Sequence, residues 1–219
     1  MNKNILYNGF SLGLGTLFIT SILELSNLKT INNLIDYHGK TYYLKAWNYT
    51  IINSCLYGPI TYCAISYKFV DYSSHNIFIN LLNIQSILII HSIGYWGAHN
   101  LMHTKYLWNI HKFHHTFSRY VTPAIAMAVT PSEYFLAYMF PFILASYIIY
   151  PTTFELTCSA SIVSICNLII HCPSLNWTSK YYPNWLVSPN KHLIHHAYKN
   201  NKHIAASTFD LDYIFIDYK

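Results

Sequence analysis

Residues 77–115 read IFINLLNIQSILIIHSIGYWGAHNLMHTKYLWNIHKFHH. The first part of this stretch, Ile77 to Ala98, holds no Asp, Glu, Lys or Arg. A bilayer core of roughly 30 Å takes about 20 apolar residues as helix, so the run is long enough to cross it. His99, His103, His111, His114 and His115 follow immediately. On a helix, positions i, i+3 and i+4 share one face. An apolar span thus leads straight into two sets of imidazoles at one membrane surface.

The rest of the chain agrees with a membrane setting. Charged residues are 10% of 219, against about 25% in soluble domains. Mean hydropathy is +0.23. The net charge of +5 is spread thinly over thirteen Lys and Arg, which fits loops between spans and not a nucleic-acid surface. Five cysteines (Cys55, Cys63, Cys158, Cys166, Cys172) lie in or beside apolar runs with no C-x-x-C pair. They read as buried thiols, not a disulfide framework.

Five spans are predicted: Ile5–Leu23, Ala46–Tyr67, a third within Ile77–Ala98, Tyr134–Tyr150 and Phe154–Ile170. Pro151-Thr152-Thr153 allows only a tight turn between the last two. The fold expected is all-α, an integral membrane bundle of about five spans with a helical cap carrying the histidines. It forms a single domain over 1–219, with N-terminal spans in 1–86. Lys29, Lys40, Lys45, Lys105, Lys112, Arg119, Lys180, Lys191, Lys199, Lys202 and Lys219 then share one side, and Lys3 and Lys68 the other. The positive-inside rule puts the histidines in the cytosol and the N-terminus across the membrane.

Nine of the thirteen histidines fall into four groups: His99/His103, His111/His114/His115, His171, and His192/His195/His196. Each H-x-x-H-H triplet is expected to turn three rings to one side. Neutral imidazole suits iron or zinc. Nine rings exceed the needs of one ion, so two ions are expected. The H-E-x-x-H of zinc peptidases, with its Glu as general base, does not occur, which disfavours hydrolysis. Transporters hold ligands near the bilayer midplane, whereas these groups lie past the span ends. His38, His75, His91 and His203 read as interfacial or hydrogen-bonded residues. Metal-bound His commonly donates its second N–H to a carboxylate, and Glu133 and Asp212 are the candidates.

From about Ile87 to Tyr218 the chain resembles the fatty acid hydroxylase / sterol desaturase superfamily. The resemblance rests on Tyr95-Trp96-Gly97-Ala98-His99, His103, Leu107-Trp108, His111-Lys112-Phe113-His114-His115, Pro131-Ser132-Glu133 and Ser188-Pro189 before His192-Leu193-Ile194-His195-His196. Asn200-Asn201, Ala206-Ser207-Thr208-Phe209 and Asp212-Tyr213-Ile214-Phe215 are similar to the tail of 4-methylsterol oxidases. The chain departs from the pattern at Thr130, where relatives carry His, at Phe215-Ile216-Asp217 in place of Phe-Gly-Thr, and after His171-Cys172-Pro173, where no second His follows at four residues. These departures leave the substrate open.

The resemblance implies a catalytic region over 87–218 and two iron ions, with zinc a substitute in purified protein. It implies oxygen-dependent hydroxylation of a C–H bond in a sterol or fatty-acyl lipid, in lipid biosynthesis at the endoplasmic reticulum. A desaturase outcome on the same scaffold stays open, as do a metal-binding or transport protein and a pseudoenzyme. The 219 residues contain neither a G-x-G-x-x-G dinucleotide fingerprint nor a His-Pro-Gly-Gly haem segment. An external electron donor is therefore expected, such as cytochrome b5 with its NAD(P)H reductase.

Overall fold

The computed structural model describes residues 3–198, 203–205 and 207–215. Lys199, Lys202, Lys219, Asn200-Asn201, Ala206 and Ile216-Asp217 lie outside the described residues. Among the described residues there is no strand, and only two isolated β-bridges occur.

Helix α1 (Lys3–Leu25) is followed by α2 (Leu28–His38) and α3 (Lys40–Ile52). Gly39, at φ +85°, makes the turn between α2 and α3. The chain stays helical through a π turn, Asn53–Tyr57, into α4 (Gly58–Phe69). Proline lacks an N–H and its ring clashes with the carbonyl four residues back. Pro59 therefore meets a helix that has already widened. The same device recurs later: α7 (Pro131–Glu133), a π turn over Tyr134–Met139, then Pro141 within α8 (Phe140–Ile149). Between these lies α5 (Ile77–Met102), and after them α9 (Thr153–Ile170).

Four stretches are long and apolar enough to span a bilayer: Ile5–Leu25, Ile77–Met102, Pro131–Ile149 and Thr153–Ile170. The expected second span corresponds to α3–α4. It is helical throughout but too polar to join the four. Its polar residues have internal work: Thr50 and Asn53 are buried and hydrogen-bond to a loop. Counting α3–α4, the chain passes through the bundle five times.

Contacts fix the antiparallel order. Ile5 packs with Tyr62, Ile65 and Leu156 at one end, while Glu24 meets Ala124 at the other. Gly13 lets α1 approach the π turn closely, because an added Cβ would collide with the Ser54 carbonyl. Gly94 likewise admits Pro141, whose Cβ would lie 2.9 Å from an added methyl. Lys45 sits 5.1 Å over the Phe113 ring, placing the α3 start on the histidine side.

At the opposite end, Glu155 explains the one charge in its span. It forms a capping box with Thr152 and accepts a hydrogen bond from Asn83. It also pairs with His75 Nδ1 at 2.8 Å. This pairing raises the His75 pKa. The cysteines are unpaired thiols, but only Cys172 is buried and the other four are half-buried. Apolar neighbours, not full burial, account for those four.

One buried strap, built around a 3-10 turn at Pro123–Met127, supports the histidine end. Every residue from 121 to 129 is buried, and buried backbone groups need partners. Glu24 accepts from Ala124 N at 2.7 Å, and Thr50 donates to Ala124 O. Asn53 donates to Met127 O at 2.7 Å and Val129 O at 3.0 Å. Asn167 donates to Ala126 O at 3.0 Å. Polar residues from three passes thus hold one buried segment beneath the site.

Candidate metal centre

The last turn of α5 carries His99, and His103 caps it. A short turn leads to α6 (Trp108–His111), then a 3-10 turn begins at His114. His171 caps α9. The last triplet lies on α10 (Pro189–Tyr198), and the tail ends in α11 (Leu211–Phe215).

All nine histidines expected to act together do converge, as two groups. His99, His103, His111, His115 and His195 form one; His114, His171, His192 and His196 form the other. Within each group the candidate ligand atoms lie within 4.8 Å of one another. That spacing suits a single ion with metal–nitrogen bonds of about 2.0–2.1 Å. The groups abut, with the His115 and His196 rings stacked at 4.7 Å. Of the nine, only His103 is not fully buried.

The one-sided triplets are corrected. Each is divided: His111 and His115 serve the first group and His114 the second; His195 serves the first and His192 and His196 the second. The first triplet is not one continuous helix, because α6 stops at His111.

Two rings have tautomers fixed by backbone carbonyls, and a third pairs with a carboxylate. His99 Nδ1 faces the Ile204 carbonyl at 2.8 Å and His171 Nδ1 faces the Asn167 carbonyl at 2.7 Å. A carbonyl only accepts, so each Nδ1 carries the proton. His111 Nδ1 donates to Glu133 Oε1 at 2.6 Å. The Nε2 atoms of these rings are then lone pairs. Yet His99 Nε2 and His111 Nε2 are 2.8 Å apart. His171 Nε2 is 3.0 Å from His192 Nε2, which is 3.2 Å from His196 Nε2. With Glu133 ionised, His99 and His111 face each other as lone pairs, which repel unless a cation lies between them; the His171, His192 and His196 edges, nearly as close, share either a proton or a cation. His115 adds two buried ring nitrogens with no hydrogen-bond partner among the described residues. This donor set fits metal ions.

Burial keeps the rings neutral, the form that binds metal. It holds His103 and His171 down to about 4. His111, His114, His115, His192 and His196 fall well below the usual imidazole range, through burial first and neighbouring imidazoles second.

Glu133 takes the carboxylate place expected for it. Asp212 does not: among the described residues its hydrogen bonds go to no histidine. Its Oδ2 accepts from Ala205 N at 2.7 Å and its Oδ1 from Trp96 Nε1 at 3.0 Å. It anchors the backbone beside Ile204, whose carbonyl orients His99. Thr130, the departure from the family pattern, donates to Ile110 O at 3.0 Å and caps α7. Glu24, Asn53 and Asn167 were missed as supporting residues, although polar side chains inside spans are the usual signal. His38 and His91 lie among aromatic rings, and His75 pairs with Glu155. None of these, nor His203, belongs to either group.

Substituting Glu133 tests its hold on His111. Losing such an outer partner costs about 10–100-fold in metal affinity or activity. Glu133→Ala is expected to fall in that range, and Glu133→Gln to recover part of it, since its amide oxygen still accepts. Metal titration with a competing chelator measures this; equal affinity in all three proteins would remove Glu133 from the site.

Fold and site together define an integral membrane protein with a histidine-built centre able to hold metal. The fatty acid hydroxylase family model matches residues 84–216, more than half of the chain. The chain belongs to that family, within the sterol desaturase / fatty acid hydroxylase superfamily. No curated protein and no solved structure gives a significant match.

Proposed function

We propose that this chain is a di-iron oxygenase that hydroxylates a C–H bond in a sterol or fatty-acyl lipid. The reading extends to lipid biosynthesis in the endoplasmic reticulum membrane, with the histidines facing the cytosol. The observation that carries it is the pair of abutting imidazole groups, five and four, with no carboxylate in either. A hydrolytic metal site would need a general base, and Glu133 is already engaged with His111. Iron bound as a pair supplies the activation of dioxygen that C–H oxidation requires.

The protein's own part is positioning and exclusion. Glu133, the Ile204 carbonyl and the Asn167 carbonyl each fix one ring. Burial of eight of the nine rings keeps bulk water from the centre. The less buried His103 marks the side open to a small molecule such as oxygen.

The test is turnover of iron-loaded protein in lipid under ¹⁸O₂ with a suitable reductant, read by lipid mass spectrometry. One ¹⁸O atom per product is expected. A new alkene without ¹⁸O would assign desaturation. No oxidised lipid from a protein with full iron would overturn the reading.

A further inference from the structure

Two segments after the last span are held close to the bundle's apolar surface. Ser174 is tied to the end of α1: its N–H donates to Asn27 Oδ1 at 2.9 Å, and its hydroxyl lies 2.9 Å from that of Ser26. The 3-10 stretch Pro173–Tyr181 is thereby held where α1 and α9 end.

Beyond α10 the chain descends. Ser207 donates to Val163 O at 3.4 Å, and the Thr208 hydroxyl lies 2.6 Å from that of Ser92. Val163 is about 10 Å down α9 from its end at Ile170, at 1.5 Å per residue. Helix α9 has 18 residues, about 27 Å of rise, against a hydrocarbon core of about 30 Å. A residue level with Val163 therefore lies inside that core. Non-helical backbone is tolerated at such depth only where protein buries it. Ser207 and Thr208 meet this condition, since both are buried and bonded to α9 and α5.

The end of the tail is not buried. Tyr213, Ile214 and Phe215 are all more than half exposed. The Phe215 ring lies 6.0 Å from that of Trp96. Ile89, Ile93 and Trp96 follow one another at i+4 and i+3 steps, so they share one face of α5, and both isoleucines are exposed. Helix α11 thus extends the lipid-facing surface of α5. Its one acid, Asp212, is buried and bonded inward. Trp185, exposed, lies 6.2 Å from Phe209 ring to ring, and Trp177 and Tyr181 are exposed on the 3-10 stretch.

An apolar patch of this kind marks contact with another apolar phase. Lipid fits it better than a protein does. The patch is continuous with the spans, and Trp and Tyr are the side chains favoured at a membrane–water interface. From Pro173 to Trp185 the sole charge is Lys180, 4.8 Å from the Tyr181 ring centroid. Such a lysine lays its stem along apolar surface and keeps its ammonium in the polar layer.

We propose that residues 173–185 and α11 form a collar embedded in the leaflet on the histidine side. The rings of Trp177, Tyr181 and Trp185 lie at the boundary of headgroups and acyl chains, and Ile214 and Phe215 face the chains. Ser207 and Thr208 wedge the tail between α5 and α9. The collar rests on packing and exposure alone and is independent of the oxygenase reading.

The test is fluorescence quenching in nanodiscs made from phosphatidylcholine brominated near the glycerol end of its chains, against the unbrominated lipid. Ile214→Trp adds a reporter on α11, and Trp177→Phe and Trp185→Phe each remove one from the collar. All three positions are exposed, and proteins are compared at equal metal content. The emission gained in Ile214→Trp is expected to fall at least twofold in brominated lipid. The emission lost in each Phe variant should be the bromine-quenched part, little affected by aqueous iodide. Each variant reads the collar by itself, so failure of one to fold leaves the others. Quenching of these tryptophans by iodide and not by bromine would overturn the proposal, placing the segments in water. Quenching by neither would also overturn it, assigning the patch to a protein partner such as a second copy of the chain.

Discussion

On the di-iron reading, replacing His115 with Ala is expected to abolish turnover, with a loss of well over a hundredfold, and to lower iron from the proposed two ions per chain to about one. His115 is the ring to choose. Its centroid lies 4.5 Å from that of His111, 4.9 Å from His103 and 4.7 Å from both His195 and His196. Neither of its nitrogens bonds another described residue. Its removal therefore costs no hydrogen bond of the fold and relieves crowding among lone pairs. His99 and His171 are poorer choices, since each also ties down a backbone carbonyl. His196→Ala makes the matching test on the four-ring group. Loss of a supporting partner costs about 10–100-fold, so loss of a ligand should exceed that. Metal is counted by mass spectrometry of protein that still inserts in membranes. Zinc competes well for imidazole, so iron must be supplied during expression. Full activity in either variant would dismiss the shared centre.

Much of this was legible in residues 77–115. The apolar run predicts a span, and the structure has α5 there. The clustering of nine histidines predicts one shared region, and the structure brings all nine together. Their division between two groups was not legible. Adjacent helical residues lie about 100° apart around the axis, so His195 and His196 face different ways on α10 even though both sit near His192. Spacing alone does not say that two receiving groups flank that helix. The α3–α4 pass was read as a span from its apolar residues. Its polar ones, Thr50 and Asn53, have partners more than seventy residues away in the buried strap, and no local pattern announces such a bond. Asp212 shows the same limit. Its neighbourhood was right, but the groups it serves are the Ala205 backbone N–H and the Trp96 indole N–H, not an imidazole. Long-range polar contacts depend on which loops the bundle brings underneath, and that is settled only by packing.

Turnover from NADH is expected only when a reductase and a one-electron carrier are added, with none from the purified chain alone. Inserting one oxygen atom into a C–H bond and releasing the other as water takes two electrons and two protons beyond those of the substrate. Imidazole, the group that dominates this centre, supplies neither hydride nor electrons. The route for them is the histidine face. Lys105, Lys112 and Arg119 are exposed there, and Lys112 directly follows His111, so a carrier docked on these cations comes close to the first group. The family resemblance implies cytochrome b5 as the carrier, and its attraction to this face would be electrostatic. Screening shortens from about 10 Å at 0.1 M salt to about 3 Å at 1 M. Carrier-dependent turnover should therefore fall several-fold over that range, while iron content stays constant. Lys112→Glu should raise the carrier concentration needed for half-maximal rate without changing the rate at saturation. The measurement is product formation in nanodiscs against carrier concentration at two salt levels. Sustained turnover with NADH and the chain alone would defeat the external-donor model, and salt-independent rates would defeat docking on this face.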